Sequence, residues 1–263
     1  MAKPDSAILI TFPPSLDSEL ARFLCQHYGI DHLEKRHTLI FSSFVTLWHG
    51  RTAIFPLLYS SSYKLAGPRE MVDYLDAHCA PDLQLLPAKD DERRQVESDW
   101  ALFNNSLAFA TARFSYYHLL PHRDIMVAPL TMGTPNFERK TVAFAYGFFA
   151  WLLRKLLKLS AKTAQDSLDQ VRTIFSTVEG RITGGQKFLV GDRLTLSDLA
   201  FAVAAAPLVL PGTYGGPIPT FADMPSEVQA VIHEMRARPA GAFALAIYEQ
   251  QRRKFGLQFA SSP

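Results

Sequence analysis

Apolar and polar positions follow two different rhythms along this 263-residue chain, and the change falls near residue 85. Before it, the apolar runs are short. Ala7 to Phe12, AILITF, is a branched apolar run broken by Pro13 and Pro14, the pattern of a buried strand. Between Ser18 and Gly29, Leu20, Phe23, Leu24 and Tyr28 recur at helical spacing, and Gly29 is the stop. A mixed stretch follows from Leu33 to Phe41. TAIFPLLY and YKL, separated by Ser60 to Ser62, read as a hairpin. Pro68 then opens PREMVDYLDAH, whose apolar face is Met71, Val72, Tyr74 and Leu75, with proline in the first helical turn. The predicted order is strand, helix, strand, strand, strand, helix.

CAPDLQLLPAKDDE is a connector rich in proline and charge, and everything beyond it carries helical spacing. Helices are expected at about 91–120, 137–159, 161–182, 196–209, 225–237 and 240–254. LPGTYGGPIPTFADMP, from Leu210 to Pro225, is the long irregular loop of this half. TVAFAYGFFAWLL, Thr141 to Leu153, is uncharged and then meets Arg154, Lys155 and Lys158. It is shorter than the ~20 residues a bilayer crossing requires, so it reads as a buried helix rather than an interfacial membrane segment.

The clearest local signal is GDRLTLSDLAF, Gly191 to Phe201. Thr195 and Asp198 have the spacing of a capping box, in which each satisfies a backbone donor near the other, and Leu194 and Leu199 have the spacing of a hydrophobic staple. A helix from about 196 follows, stabilised by about 1 kcal/mol through its cap.

Composition narrows the class. With 48% apolar and 20% charged residues the chain buries a substantial core, and a formal charge of +2 with scattered basic residues gives nucleic-acid binding no support. Cys25 and Cys79 form neither a metal spacing nor a disulfide framework, so a reducing, cytoplasmic setting is expected. MAKPDSAILITF lacks the apolar core and cleavage site of a signal peptide. No integral membrane segment and no bound metal are expected.

A small mixed domain followed by an all-helical one resembles the glutathione transferase superfamily, and three motifs make the resemblance specific. FLVGDRLTLSDLAFA is similar to the family's capping segment in the helical domain. Phe55-Pro56 resembles the signature before the third strand of the thioredoxin-like domain, where a cis-proline follows an apolar residue. LQLLPAKDDERRQVESDW is similar to the interdomain linker running into the first long helix. The resemblance implies an α+β chain: a thioredoxin-like glutathione-binding domain over 1–80, a linker over 81–91, and an all-helical domain over 92–263 that contributes a hydrophobic pocket.

What the resemblance implies about the site can be placed residue by residue. The backbone of Phe55, beside Pro56, pairs with the cysteinyl unit of glutathione. A thiol with a pKa of ~8.5 needs a hydrogen bond or a positive field to ionise near neutrality. In TFPPSLDSEL, alignment with the serine-type motif puts Ser15 at the activating position, with Ser18 one turn on. The same residues, or Asp17, also suit plain helix capping. Cys25 falls in the helix interior. His49 and Arg51 in LWHGR are candidates for the glycyl carboxylate. Where the family carries an acidic residue and a serine, this chain has Gly67 and Pro68; proline offers neither hydroxyl nor N–H, so Arg69 is the candidate replacement for the γ-glutamyl carboxylate. Tyr116, Tyr117 and the loop residue Tyr214 are expected to wall the apolar pocket.

Two functions follow from the resemblance. One is a homodimeric enzyme that activates the glutathione thiol for attack on a small apolar electrophile, or uses it in isomerisation, dehalogenation or peroxide reduction. The other is a protein of the same fold that binds a hydrophobic ligand or a partner protein without catalysis.

Overall fold

The computed structural model describes residues 7–49 and 55–254, side chains being described as far as Gln251. A four-stranded sheet in the order β2-β1-β3-β4 anchors the N-terminal part. Its strands are β1 (Ala7–Thr11), β2 (His32–Arg36), β3 (Leu57–Tyr59) and β4 (Lys64–Ala66). β1 runs parallel to β2 and antiparallel to β3, and β3 pairs antiparallel with β4. Leu9 and Leu58, opposite each other, are both fully buried. Helix α1 (Leu16–His27) crosses between the parallel strands, and α3 (Gly67–His78) follows the hairpin. This is the thioredoxin-like arrangement expected.

Helix α2 (Leu39–Trp48) was not foreseen, and its polarity explains why. Ser42 and Thr46 are its buried positions, while Phe44, Leu47 and Trp48 face outward. The Ser42 hydroxyl donates to the Leu39 carbonyl at 2.8 Å and the Thr46 hydroxyl to that of Ser43 at 2.9 Å, so both polar groups are satisfied within the helix. An apolar-inside pattern could not have found it.

The connector is pinned rather than loose. The Asp76 carboxylate accepts from the N–H groups of Leu85 (2.8 Å) and Leu86 (2.7 Å), and the Leu85 carbonyl accepts from the N–H of Leu196. The helical part then runs through α4 (Asp90–Trp100), a π-helical stretch over Ala101–Leu107, α5 (Ala108–Leu119), α6 (Arg123–Thr131), α7 (Asn136–Phe144), α8 (Tyr146–Leu156), α9 (Ala161–Ile182), α10 (Leu196–Val209), α11 (Ser226–Ala237) and α12 (Pro239–Lys254). Helix α10 is its buried axis. The capping residues behave as their spacing demands: the Asp198 carboxylate accepts from the N–H of Thr195 (2.8 Å) and of Leu189 (2.7 Å).

Three expectations need correction. The helix expected over 137–159 is broken at Ala145, which lets Tyr146 turn inward and donate its hydroxyl to the Leu120 carbonyl at 2.9 Å. Helix α6 was missed because Pro129, a breaker by pattern, sits in its last turn. Thr141 to Leu153 is not a buried helix: Val142, Tyr146, Phe149 and Leu153 point inward, but Phe144 is 96% exposed, Phe148 55% and Trp151 53%.

Candidate active site between the two domains

The turn from β1 into α1 sets the first wall. Phe12 follows the strand, Pro13 and Pro14 turn the chain, and Ser15 takes the extended N-cap conformation. Its Oγ accepts a long hydrogen bond, 3.4 Å, from the N–H of Ser18, leaving the hydroxyl proton free to be donated elsewhere. Ser18 is different. It is fully buried and its Oγ accepts from the N–H of Phe12.

Ser15 opens on a cavity of about 530 Å³ between the sheet domain and the helices. Phe55, whose peptide bond to Pro56 is cis, stands on the same wall. Tyr116 from α5 and Tyr214 from the long loop stand on others, and Leu153, Met126 and Ala108 make much of the remainder apolar. Burial pushes the Tyr116 phenol well above its ordinary value, with Tyr146 adding to the effect, so it stays protonated at neutral pH and can donate.

The structure separates the predicted residues into two groups. Ser15, Phe55, Tyr116 and Tyr214 share the cavity. Tyr117, one residue past Tyr116 and so turned about 100° away, packs its ring edge against His118 instead. His49 lies at the end of α2 against the Tyr59 ring, away from the cavity; desolvation and the charges of Lys64 and Lys35 lower its pKa. Arg51 lies outside the described residues. Pro56 is buried and its carbonyl accepts from the N–H of Gly67 at 2.8 Å. Gly67 has φ +81°, and Pro68 is buried in the first turn of α3.

Arg69 is committed elsewhere. Its guanidinium holds Asp73 on the same helix and Glu97 on α4, with Nη2 2.9 Å from Glu97 Oε1. Beside it, the Glu70 carboxylate already accepts from the N–H of Ala66 at 2.8 Å. Cys25 is fully buried and its thiol is pushed up to about 12 by burial, which removes it as a nucleophile.

Several wall residues were missed by pattern. Asn104 and Asn105 come from the π-helical stretch, and Ser115 follows on α5. The polar run Asn104-Asn105-Ser106 inside an aromatic helix was the available signal. Such widened turns recur at functional sites. The Ser115 hydroxyl is buried without a partner among the described residues.

Asp17 is the acidic member of the lining. It is partly buried, and desolvation raises its carboxyl to about 6. The cavity therefore gains a negative charge as pH rises through about 6. Two unit charges ~10 Å apart at an effective dielectric constant near 20 repel by roughly 1.7 kcal/mol, on the order of tenfold in affinity. A fluorescent apolar sulfonate is expected to bind about tenfold more tightly at pH 5 than at pH 7.5, and Asp17→Asn to flatten that dependence. A profile that keeps its slope in Asp17→Asn would assign it to another group.

A charged cluster beneath the cavity locks its two sides together. Arg22, 6% exposed, donates to Glu34 at 2.8 and 2.9 Å, to Glu19 at 3.1 Å and to the Pro13 carbonyl at 3.3 Å. Glu19, fully buried, accepts from the N–H of Gly215 at 2.9 Å, while Arg36 bridges Glu34 and the Gly215 carbonyl. Tyr214 Oη donates to the Pro14 carbonyl at 3.3 Å. Two residues after Tyr214 there is no room for a side chain: a Cβ on Gly216 would stand 2.3 Å from the Pro13 carbonyl oxygen. The loop carrying Tyr214 is thus held against the turn carrying Ser15.

Comparison with known proteins agrees with this architecture. Residues 141–239 match the family model "Glutathione S-transferase, C-terminal domain". No curated protein matches the chain by sequence. Among solved structures, glutathione transferase GSTFuA3 from Phanerochaete chrysosporium is similar over 98% of this chain and 99% of its own, with TM-score 0.61 and 14% identity. Beta-etherase LigF from Sphingobium sp. strain SYK-6 is similar over 94% and 99%, with TM-score 0.58 and 14% identity. Ure2p5 from Phanerochaete chrysosporium, cocrystallised with 1-(S-glutathionyl)-2,4-dinitrobenzene, is similar over 97% and 100%, with TM-score 0.53 and 14% identity. The chain has the fold seen in glutathione transferases, a thioredoxin-like domain joined to a helical one, and residues 141–239 of the helical part match the glutathione S-transferase C-terminal domain model.

Proposed function

We propose that this chain activates the thiol of glutathione for attack on a small apolar electrophile, residues 1–80 holding the tripeptide and 92–263 the second substrate. The observation that carries the reading is Ser15, with a donatable hydroxyl at the start of α1, on the wall of a largely apolar 530 Å³ cavity. A hydroxyl at a helix N-terminus stabilises a thiolate by hydrogen bond and by the helix dipole together. The thiol proton leaves to solvent, the sulfur bonds to the electrophilic carbon, and the displaced group departs with its electron pair. Tyr116, held neutral, is placed to donate to an atom that gathers charge in that step. The polar wall atoms of Asn104, Asn105 and Ser115 favour a substrate that is apolar but carries a hydrogen-bonding group. Pairing into a cytoplasmic homodimer is part of the same reading.

The sulfur end of the site fits glutathione better than its γ-glutamyl end. Pro68 offers no donor, Arg69 is held by Asp73 and Glu97, and Glu70 presents a carboxylate where an anion would sit. These contacts favour the second reading, a fold that keeps the apolar cavity and binds a hydrophobic ligand without the thiol. Passage over immobilised glutathione with a turnover assay on a chlorinated nitroaromatic distinguishes them. The enzyme is retained and forms the thioether, with the chloride released. Flow-through without turnover, by protein that still binds an apolar dye, would establish the non-catalytic reading instead.

A further inference from the structure

We propose that the apolar ridge formed by α2, α7 and α8 docks in the interface of an anionic lipid membrane. Nine of the eleven large apolar residues exposed among the described residues lie on α2 or between Met132 and Leu156; Leu33 and Phe109 are the others. On α2, Phe44, Leu47 and Trp48 are 63%, 51% and 90% exposed, while serine and threonine take the inward positions. Outside water, this inverted polarity is the stable one. Apolar clusters of this size on an isolated chain mark a binding surface.

The start of α2 is fastened to α7, and α8 follows α7 directly after Ala145. Glu138 of α7, 1% exposed, accepts from His37 Nδ1 and from the N–H of Thr38, each at 2.7 Å, and so fastens α7 to the start of α2. The Phe41 and Phe137 rings meet edge to face at 5.2 Å across that junction. Phe137 and Phe144 lie two turns apart on α7, and Phe148 stacks on Trp151 on α8. Aromatic side chains, tryptophan above all, suit the boundary between headgroups and acyl chains.

Charge selects the occupant. Between Met132 and Leu159 the basic residues are Arg139, Lys140, Arg154, Lys155 and Lys158, and the acidic one is Glu138, which is buried against His37. Arg139, Lys140, Lys155 and Lys158 are exposed, and none of the four makes an ion pair among the described residues. A symmetric contact with a second copy would bring this positive set against itself, whereas an anionic leaflet complements it. The helices are suited to lying on the bilayer: among the described residues none is long and apolar enough to cross it. This inference is independent of the glutathione reading.

The test is flotation of the full chain with vesicles of phosphatidylcholine alone or with about 30% phosphatidylserine, alongside tryptophan emission and gel filtration. Binding is expected on the phosphatidylserine vesicles at low salt, weakened by added salt, with a blue shift in emission. With about fivefold in partitioning for each basic residue near the surface, Lys140→Gln with Lys155→Gln should weaken it roughly twenty-five-fold. Trp48→Ser with Trp151→Ser should abolish it, while circular dichroism and dye binding in the cavity stay unchanged. No flotation with phosphatidylserine, or flotation unaffected by these substitutions, overturns the proposal. So does a wild-type dimer that the serine variants convert to monomer without any lipid binding, since the ridge would then serve a second copy.

Discussion

Replacing Arg22 by alanine is expected to lower the stability of the fold by about 3–5 kcal/mol, the cost of leaving buried charge without its partner. Glu19 is fully buried and Glu34 is mostly so, and both face that guanidinium. Burial alone would raise the Glu34 carboxyl, but the charges and hydrogen bonds of Arg22 and Arg36 outweigh it and hold it down at about 2. A depressed carboxyl adds stability that is present above its unfolded value of 4.5 and is lost as pH falls through about 2. The gap between wild type and Arg22→Ala in urea unfolding should therefore be widest at neutral pH and narrow as pH falls from about 4.5 toward 2. A gap that stays constant over that window would remove Glu34 from the account. Because the cluster also grips Gly215 and the Pro13 carbonyl, the variant should bind cavity ligands less tightly even in conditions where it remains folded.

Replacing Ser15 by alanine is expected to raise the apparent pKa of bound glutathione by about one to two units, the equivalent of the ~1.5–3 kcal/mol hydrogen bond to a charged acceptor. The rate at neutral pH should fall about tenfold to a hundredfold with it. Ultraviolet absorption of the thiolate, followed against pH, reads the first effect directly. The folding cost should be small, about 1 kcal/mol for an N-cap, so circular dichroism separates loss of fold from loss of activation. If bound glutathione keeps its pKa and its rate in Ser15→Ala, the hydroxyl is a helix cap and nothing more.

How much of this was readable in the amino-acid order depends on whether local pattern or distant neighbours decide each feature. Strands β1, β3 and β4, helices α1 and α3, and helices α9 to α12 follow apolar periodicity, and the Thr195/Asp198 pair sits at α10 as its spacing requires, whereas β2, His-Leu-Glu-Lys-Arg, carries no apolar alternation. Helix α2 was invisible because its apolar residues face out and its hydroxyls face in. The break at Ala145 was invisible for a related reason: an unbroken aromatic run does not say which rings are inside. At the site, Ser15, Phe55, Tyr116 and Tyr214 came together through the resemblance to a known fold, not through spacing. Tyr117 illustrates the limit of that route, since its neighbours Ser115 and Tyr116 line the cavity while its own ring packs against His118. Arg69 illustrates the other limit. Its partner Asp73 is four residues on and legible, but Glu97 arrives from another helix, and together they withdraw the charge from a bound anion.

The central claim is positional: the sulfur of glutathione rests at Ser15 with whatever it carries directed into the cavity beside Tyr116 and Tyr214. A crystal structure with an S-alkylated glutathione tests it most directly. The account predicts the sulfur beside Ser15 Oγ, the alkyl chain among the cavity's apolar walls, and the tripeptide backbone alongside Phe55. An unoccupied groove, or an alkyl chain in the cavity with the tripeptide directed away from Ser15 and Phe55, would contradict it.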